Sequence, residues 1–252
     1  MKPPDRKPAT GISLSVVMAG LDEETNVEGA VKQMIVALES CCDEFEIIVV
    51  NDGSRDRTGE IADRLAEEDA RVRVVHNERN LNYGVCLARG IAAARCEWIL
   101  HEPMDLPLAP EDIQAFCPHF PDADVVVAQR IDRSAHSSWR RLTSWTNQFL
   151  LHLLFRPRTR DLNFVQFYRR SFAQPIHLHS TSPAFVTPEL ILTAERRGRR
   201  LREVEVEFRR RERGRAHFGR PRDILWTLRD MAALRLRTWL RGWDPPVGGG
   251  AP

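Results

Sequence analysis

Residues 45–58 read FEIIVVNDGSRDRT, and this stretch decides the fold. Ile47, Ile48, Val49 and Val50 form a short apolar run rich in β-branched side chains, the pattern of a strand buried on both faces of a parallel sheet. The strand should stop at Asn51, Asp52 and Gly53, with Ser54 or Asp56 capping a helix that begins near Arg57. Open α/β sheets bind ligands beyond the carboxyl ends of their strands, which puts Asp52 at the rim of a cleft. A carboxylate there accepts hydrogen bonds from a ribose or a base N–H. It serves equally well as a plain turn residue, and this stretch alone does not separate the two roles.

Working outward, the alternation of strand and helix patterns continues. Leu14–Met18 reads as a first buried strand, and Val27, Val31, Met34, Ile35 and Leu38 mark one face of a helix over 26–39. A helix over 58–68, a strand over 72–76, a helix over 85–94 and a strand over 98–101 follow, then a strand over 124–130. Trp139, Leu142, Trp145, Phe149, His152 and Leu153 recur at helical spacing over 138–155, and core packing is the default expectation for that stripe. Beyond a helix over 185–196 and a strand over 204–208, a last helix over 221–243 carries Leu225, Leu228, Ala232, Leu236, Trp239 and Leu240 on one face. Arg222, Arg229, Arg235, Arg237 and Arg241 lie among its other residues. Such a basic amphipathic helix suits either an anionic membrane surface or packing on the domain.

The chain has 252 residues, 42% of them hydrophobic, enough for one sizeable α/β domain. The formal charge is only +2, yet acids crowd the first half and arginines the second, a layout that favours an anion-binding surface. Five cysteines without Cys-x-x-Cys spacing fit neither a disulfide framework nor a zinc site, and reduced thiols in a cytoplasmic protein are expected. Residues 1–11 lack the apolar core of a signal peptide, and no run reaches the roughly 18 apolar residues of a membrane span. The expected division is a polar, disordered tail over 1–11, a catalytic domain over 12–220, the amphipathic helix over 221–243 and a flexible tail over 244–252.

Three further segments, SLSVVMAGLDEETN (13–26), VRVVHNERNLNYG (72–84) and WILHEPMDLPLAPEDI (98–113), stand in fixed order around Asp52. Together they make the chain resemble the inverting family 2 glycosyltransferases of GT-A fold, in particular the branch of dolichol-phosphate mannose synthase and related polyprenyl-phosphate sugar transferases. The resemblance runs from about Ser13 to Trp239. It implies a Rossmann-like, mostly parallel sheet flanked by helices, with a C-terminal amphipathic helix. It also implies transfer of a hexose from a GDP- or UDP-linked sugar to a polyprenyl phosphate.

What the resemblance implies for individual residues can be followed along the chain. Ala19, Leu21, Asp22 and Glu23 fall where relatives carry Pro-x-x-Asn-Glu against the donor base; three acids beside a helix N-terminus also favour its dipole. Asn51, Asp52 and Ser54 would hold the nucleotide. Asn80 and Gly84 belong to a loop in which Asn82 replaces a glycine, and its N–H groups could cradle an anion. At the usual Asp-x-Asp, Pro103 and Met104 precede a surviving Asp105, so the Mg²⁺ or Mn²⁺ of the family would rest on Asp105 and donor phosphates, with Glu102 as a substitute ligand, or turnover would be lost. A working site with an altered metal set is expected, because the other elements remain.

Pro110, Glu111, Asp112 and Ile113 read as an ordinary helix start. Arg130 takes the place of a phosphate-reaching arginine, or else makes a salt bridge. In DLNFVQFYRR, Asp161, Tyr168, Arg169 and Arg170 are kept while the family's glycine is missing, which leaves the sugar undefined. Glu189 matches an acid on the acceptor side. Arg211, Gly214 and His217 sit where relatives have a phosphate-closing Arg-x-x-Gly-x-Ser-Lys loop. Asp105, Glu189 and Arg211 are the catalytic candidates. Transfer to a soluble hydroxyl acceptor and non-catalytic binding of a nucleotide sugar are the competing functions. Nucleic acid is not an expected partner, since the arginines lack interleaved aromatics. The oligomeric state is undefined by these residues.

Overall fold

The computed structural model describes residues 11–106, 108–130, 138–206 and 221–243. In chain order the elements are β1 (Ser13–Gly20), α1 (Val27–Cys41), β2 (Glu44–Asn51), α2 (Thr58–Glu68), β3 (Val72–His76), α3 (Tyr83–Ala93) and β4 (Trp98–His101). Two short 3₁₀ turns lead to β5 (Val125–Arg130), α4 (Ser138–Phe155), β6 (Gln166–Arg169), α5 (Arg170–Ala173), α6 (Val186–Arg196), β7 (Leu201–Val206) and α7 (Pro221–Arg241). One seven-stranded sheet runs β3-β2-β1-β4-β6-β5-β7. β1, β2, β3 and β4 are mutually parallel, β6 runs antiparallel to β4 and β5, and β7 is parallel to β5.

The apolar runs behave as period-two elements must. Leu14, Val16, Met18, Ile47 and Val49 face a core closed by α1, α2 and the 3₁₀ turns; Val17, Ala19, Ile48 and Val50 face the opposite core under α3, α6 and α7. A strand covered on both sides needs apolar residues at every position, which is why β1 and β2 read as continuous runs. One buried acid interrupts them: Glu46 accepts hydrogen bonds from Ser15 (2.7 Å), Arg73 (2.7 Å) and the Arg95 amide (2.7 Å). No disulfide joins the five cysteines, all of them among the described residues.

Three expectations need correction. β6 was not anticipated, because its Gln166 is polar yet fully buried, with Nε2 donating to the Leu162 carbonyl at 2.7 Å. β7 begins at Leu201, earlier than the expected 204, while 207–208 lie outside the described residues; it is an edge strand whose Arg202, Glu203 and Glu205 hide the alternation. The α4 stripe does not enter the core: Trp145, Phe149 and Leu153 are exposed, while Leu151 and Phe155 are buried. This helix is apolar on two faces, so periodicity could not choose between them. The side chains of Trp139 and Leu142 lie outside the described set. The named apolar residues of α7 likewise face outward, and the helix packs through Met231 and Leu234.

Candidate active site

β1 lies between β2 and β4, the point where the strand order reverses, so the carboxyl ends of β1, β2 and β4 outline the expected crevice. Asp52 follows β2, its amide donating to the Gly20 carbonyl at 3.0 Å; Glu102 follows β4, its amide donating to Val17 at 3.1 Å. The carboxylate of Asp52 is buried and accepts from Asn77 Nδ2 (2.8 Å) and from the amides of Leu81 (2.8 Å) and Asn82 (3.1 Å). It therefore shapes the β3–α3 loop that closes this side of the crevice. Gly53 must be glycine: its φ is +70°, and a Cβ there would stand 2.6 Å from the Arg79 backbone.

The β1–α1 and β2–α2 loops are laced together. Asp22 accepts the Arg55 amide (2.8 Å) while its own amide donates to Ser54 Oγ (3.0 Å), and the Glu23 amide donates to Thr58 Oγ1 (2.8 Å). Glu24 accepts the Arg57 amide at 3.1 Å. So these acids knit two loops, a use the sequence did not suggest, with Glu23 also accepting from Asn26 Nδ2 at 2.5 Å. Asn51 Oδ1 accepts the Ser54 amide (3.0 Å), and Asp56, not Ser54, bonds the Thr58 amide at the start of α2 (3.0 Å). Ala19 is buried at the end of β1 and Leu21 is half-buried beside it. Asn80 Oδ1 accepts the Asn82 amide at 2.9 Å.

Across the crevice, Tyr83 at the start of α3 is hydrogen-bonded through its hydroxyl to His101 Nε2 at the end of β4. Burial pushes the His101 imidazole down to about 4, so it is neutral at pH 7. Asp105 is partly exposed and close enough to Glu102 and Tyr83 to interact with both electrostatically. Met104 is buried, its Sδ 2.7 Å from where a Cβ on Gly20 would be. This packing ties the β4 end to the β1 end.

The metal candidates divide. Glu102 is fully buried, Oε1 accepts the Leu108 amide at 3.1 Å, and Oε2 has no partner among the described residues. Burial, reinforced by the Asp105 charge and opposed by the Leu108 bond, pushes its carboxyl well up. Glu102 would have to expose Oε2 to reach an ion in the crevice, whereas Asp105 is already partly exposed. Pro103 offers no side-chain donor. Asp105 would offer a hard divalent cation one ligand, with phosphates and water as the rest, and no cluster of three metal-binding side chains occurs among the described residues.

Glu189, near the start of α6, is buried. It accepts from the amides of His179 (3.0 Å) and Ser180 (2.8 Å) and contacts His179 Nδ1 (3.1 Å). Burial pushes its carboxyl up, but these hydrogen bonds outweigh it and hold the pKa below the ordinary value. The carboxylate thus anchors the segment around His179 and Ser180. Asp230 of α7 accepts the amides of Thr181 and Ser182, both at 2.9 Å, and Trp226 Nε1 donates to Thr181 Oγ1 at 3.0 Å. Gly84 packs against this segment so tightly that a Cβ would lie 2.4 Å from the Ser180 carbonyl oxygen. Arg130 is clamped by the fully buried Asp161 (2.8 and 3.0 Å), the salt-bridge alternative to a phosphate contact. Arg211, Gly214 and His217 lie outside the described residues. His179, Asp230, Tyr83 and Asn77 were not foreseen; an acid among the arginines of α7 was the available hint for Asp230.

A parallel α/β sheet with acids gathered at its switch point, extended by an antiparallel strand and an amphipathic helix, defines a GT-A-like sugar-nucleotide transferase architecture. The family model for glycosyl transferase family 2 matches residues 15–185, and the chain belongs to that family. It is 30% identical to glycosyltransferase AglD of Haloferax volcanii over 94% of this chain and 39% of that protein. It is 27% identical to dodecaprenyl-phosphate galacturonate synthase of Rhizobium johnstonii over 84% of this chain and 63% of that one. The chain thus spans between about two fifths and just under two thirds of those two relatives. A solved structure of glucosyl-3-phosphoglycerate synthase from Mycobacterium tuberculosis, with Mn²⁺, UDP and phosphoglyceric acid, superposes with a TM-score of 0.62. Its identity to this chain is 23%, over 95% of this chain and 81% of that one.

Proposed function

We propose that the protein transfers a sugar from a nucleoside diphosphate sugar to a polyprenyl phosphate. The observation that carries the reading is the placement of Asp105, a partly exposed acid at the switch point of a family 2 sheet, opposite the loop organised by Asp52. Support for the acceptor class comes from relatives named for dodecaprenyl phosphate and undecaprenyl phosphate transfer. A divalent cation held by Asp105 would neutralise the departing diphosphate.

The residues of this chain would do the rest by positioning. The laced loops around Asp22, Asn51 and Ser54 and the Asp52-held loop would frame the nucleotide. An acceptor phosphate oxygen would attack the anomeric carbon as the bond to the diphosphate breaks, and the electron pair would leave with the nucleoside diphosphate. A phosphate acceptor is already anionic at pH 7, so this step needs no general base. Peripheral association with a membrane fits this acceptor; among the described residues no helix is long and apolar enough to cross one.

A second reading, transfer to a hydroxyl-bearing small molecule, is favoured by the Glu189–His179 pair, since a hydroxyl must lose its proton to a base. The test incubates the protein with UDP- and GDP-sugars, Mn²⁺ and either undecaprenyl phosphate in detergent or soluble phosphorylated alcohols. Sugar appearing on the lipid, and absent with Asp105→Asn, is the expected result. Transfer only to soluble alcohols would establish the second reading. Donor binding without transfer to either acceptor would identify a non-catalytic binder.

A further inference from the structure

At the outer end of α4 and α7, away from the crevice, a cleft of about 550 Å³ is lined by Arg156, Arg196, Arg235, Leu153 and Trp243. None of the three arginines pairs with a carboxylate among the described residues. Arg196 is partly committed, Nη2 donating to the Phe155 carbonyl at 2.9 Å with its guanidinium 5.6 Å over the Trp243 ring. Arg156 closes α4 at a φ of +51°, a left-handed position where glycine or asparagine is the favoured residue. Arg196 stands seven residues beyond Glu189 on α6, about 10 Å along the axis, so this cleft is separate from the crevice.

Arg235 also borders a second, almost wholly apolar groove of about 500 Å³ formed with Leu154, Leu228, Leu236 and Trp239. Around the two hollows the helix surfaces stay apolar in the open: Trp239 is 73% exposed, Leu153 61% and Leu236 56%. Cationic guanidinium groups beside exposed tryptophans and leucines match a bilayer interface, where phosphates lie next to acyl chains.

We infer that this end of the molecule is a docking site for an anionic phospholipid bilayer, with a lipid phosphate seated among Arg156, Arg196 and Arg235 and the apolar rims of α4 and α7 in the acyl boundary. The inference does not depend on which acceptor receives the sugar. The bilayer surface supplies the negative charge that three cations without a carboxylate partner among the described residues call for, and beside it the apolar medium that the flanking side chains call for.

The experiment is co-sedimentation of the full chain with phosphatidylcholine vesicles, with and without phosphatidylglycerol. Binding is expected only to the anionic vesicles, weakening by about fivefold for each arginine replaced by glutamine, since each basic residue near such a surface contributes about 1 kcal/mol. Replacing Arg199, Arg200 and Arg202 removes the same charge elsewhere and should have much the smaller effect. Arg156→Gly keeps the assay independent of folding, because a left-handed backbone favours glycine; its Tm should hold or rise while vesicle binding falls. Trp239→Ser with Leu236→Ser should also weaken binding, and thermal stabilisation by nucleotide sugars should be unchanged in every variant. The inference is overturned if the triple glutamine variant binds anionic vesicles as the parent does. It also fails if inorganic phosphate binds this cleft while vesicles do not, or if Trp239→Ser dissolves a dimer of this chain instead.

Discussion

Replacing Asp52 by asparagine tests how the crevice is built. In the folded protein the carboxylate takes three hydrogen bonds, two on Oδ1 from Asn77 Nδ2 and the Leu81 amide, one on Oδ2 from the Asn82 amide. The isosteric amide keeps its oxygen toward Asn77 and Leu81 but turns an NH₂ group on the Asn82 amide. That third bond is the cheapest to lose, because Asn80 Oδ1 also accepts the Asn82 amide at 2.9 Å. The other two fall from charge-assisted to neutral, about 1 kcal/mol each, for a total near 2–3 kcal/mol. For a chain of this size each kcal/mol moves Tm by about 2–4 °C, so the midpoint should fall by about 4–12 °C. Thermal unfolding followed by circular dichroism reads this directly, and nucleotide-sugar affinity measured below the transition should fall with it. A midpoint within about 1 °C of the parent, in a protein that still binds donor normally, would show that the loop does not depend on this acid.

Glu189→Gln should narrow the stability gap to the parent as pH falls. Folding lowers the pKa of Glu189, so the unfolded chain takes up the proton first, and the stabilisation, full above the ordinary carboxylate pKa, drains as pH drops through the folded value. Tm differences between parent and variant at pH 7 and pH 4 check this; an unchanged difference contradicts it. Asp161→Asn removes the charge paired with Arg130 and should cost about 3–5 kcal/mol in urea unfolding, whereas Arg130→Met with Asp161→Leu should recover most of the loss. Pro103→Asp should lower the Mn²⁺ concentration needed for half-maximal transfer. The Leu106 amide bonds the Pro103 carbonyl, a contact that aspartate keeps, so no change in Mn²⁺ response would argue against a metal at this position.

The half of the fold that was legible is the half in which burial is two-sided. β1–β4 and α1–α3 could be placed because apolar runs alternate with amphipathic helices and the turns carry Gly53 and acids, so local pattern and tertiary position agree. Beyond β4 the agreement weakens. β6 enters antiparallel with a buried glutamine, β7 is a charged edge, and α4 offers two apolar faces. Each depends on a neighbour far along the chain, which no local period reports. The same division runs through the site. Asp52 and Asp105 could be singled out because they follow the buried strands β2 and β4. His179 and Asp230 were missed because their positions come from α6 and α7 folding back onto Gly84, some hundred residues or more away in sequence.

The acids singled out in the sequence are mostly occupied by the protein itself. Asp52, Asp22 and Glu189 bind backbone amides, Glu23 binds Asn26, Asp161 binds Arg130, and Glu102 is fully buried. Rigid loops are thereby secured at a cost in chemistry, since a carboxylate that accepts several amides has fewer lone pairs left for a ligand. On the proposed reading, the segment from Glu102 to Asp105 would meet a donor diphosphate with a buried acid, an uncharged Pro103 and one partly exposed acid. Less like-charge repulsion would then oppose an incoming anion than at a paired-carboxylate site, so less would be asked of a cation.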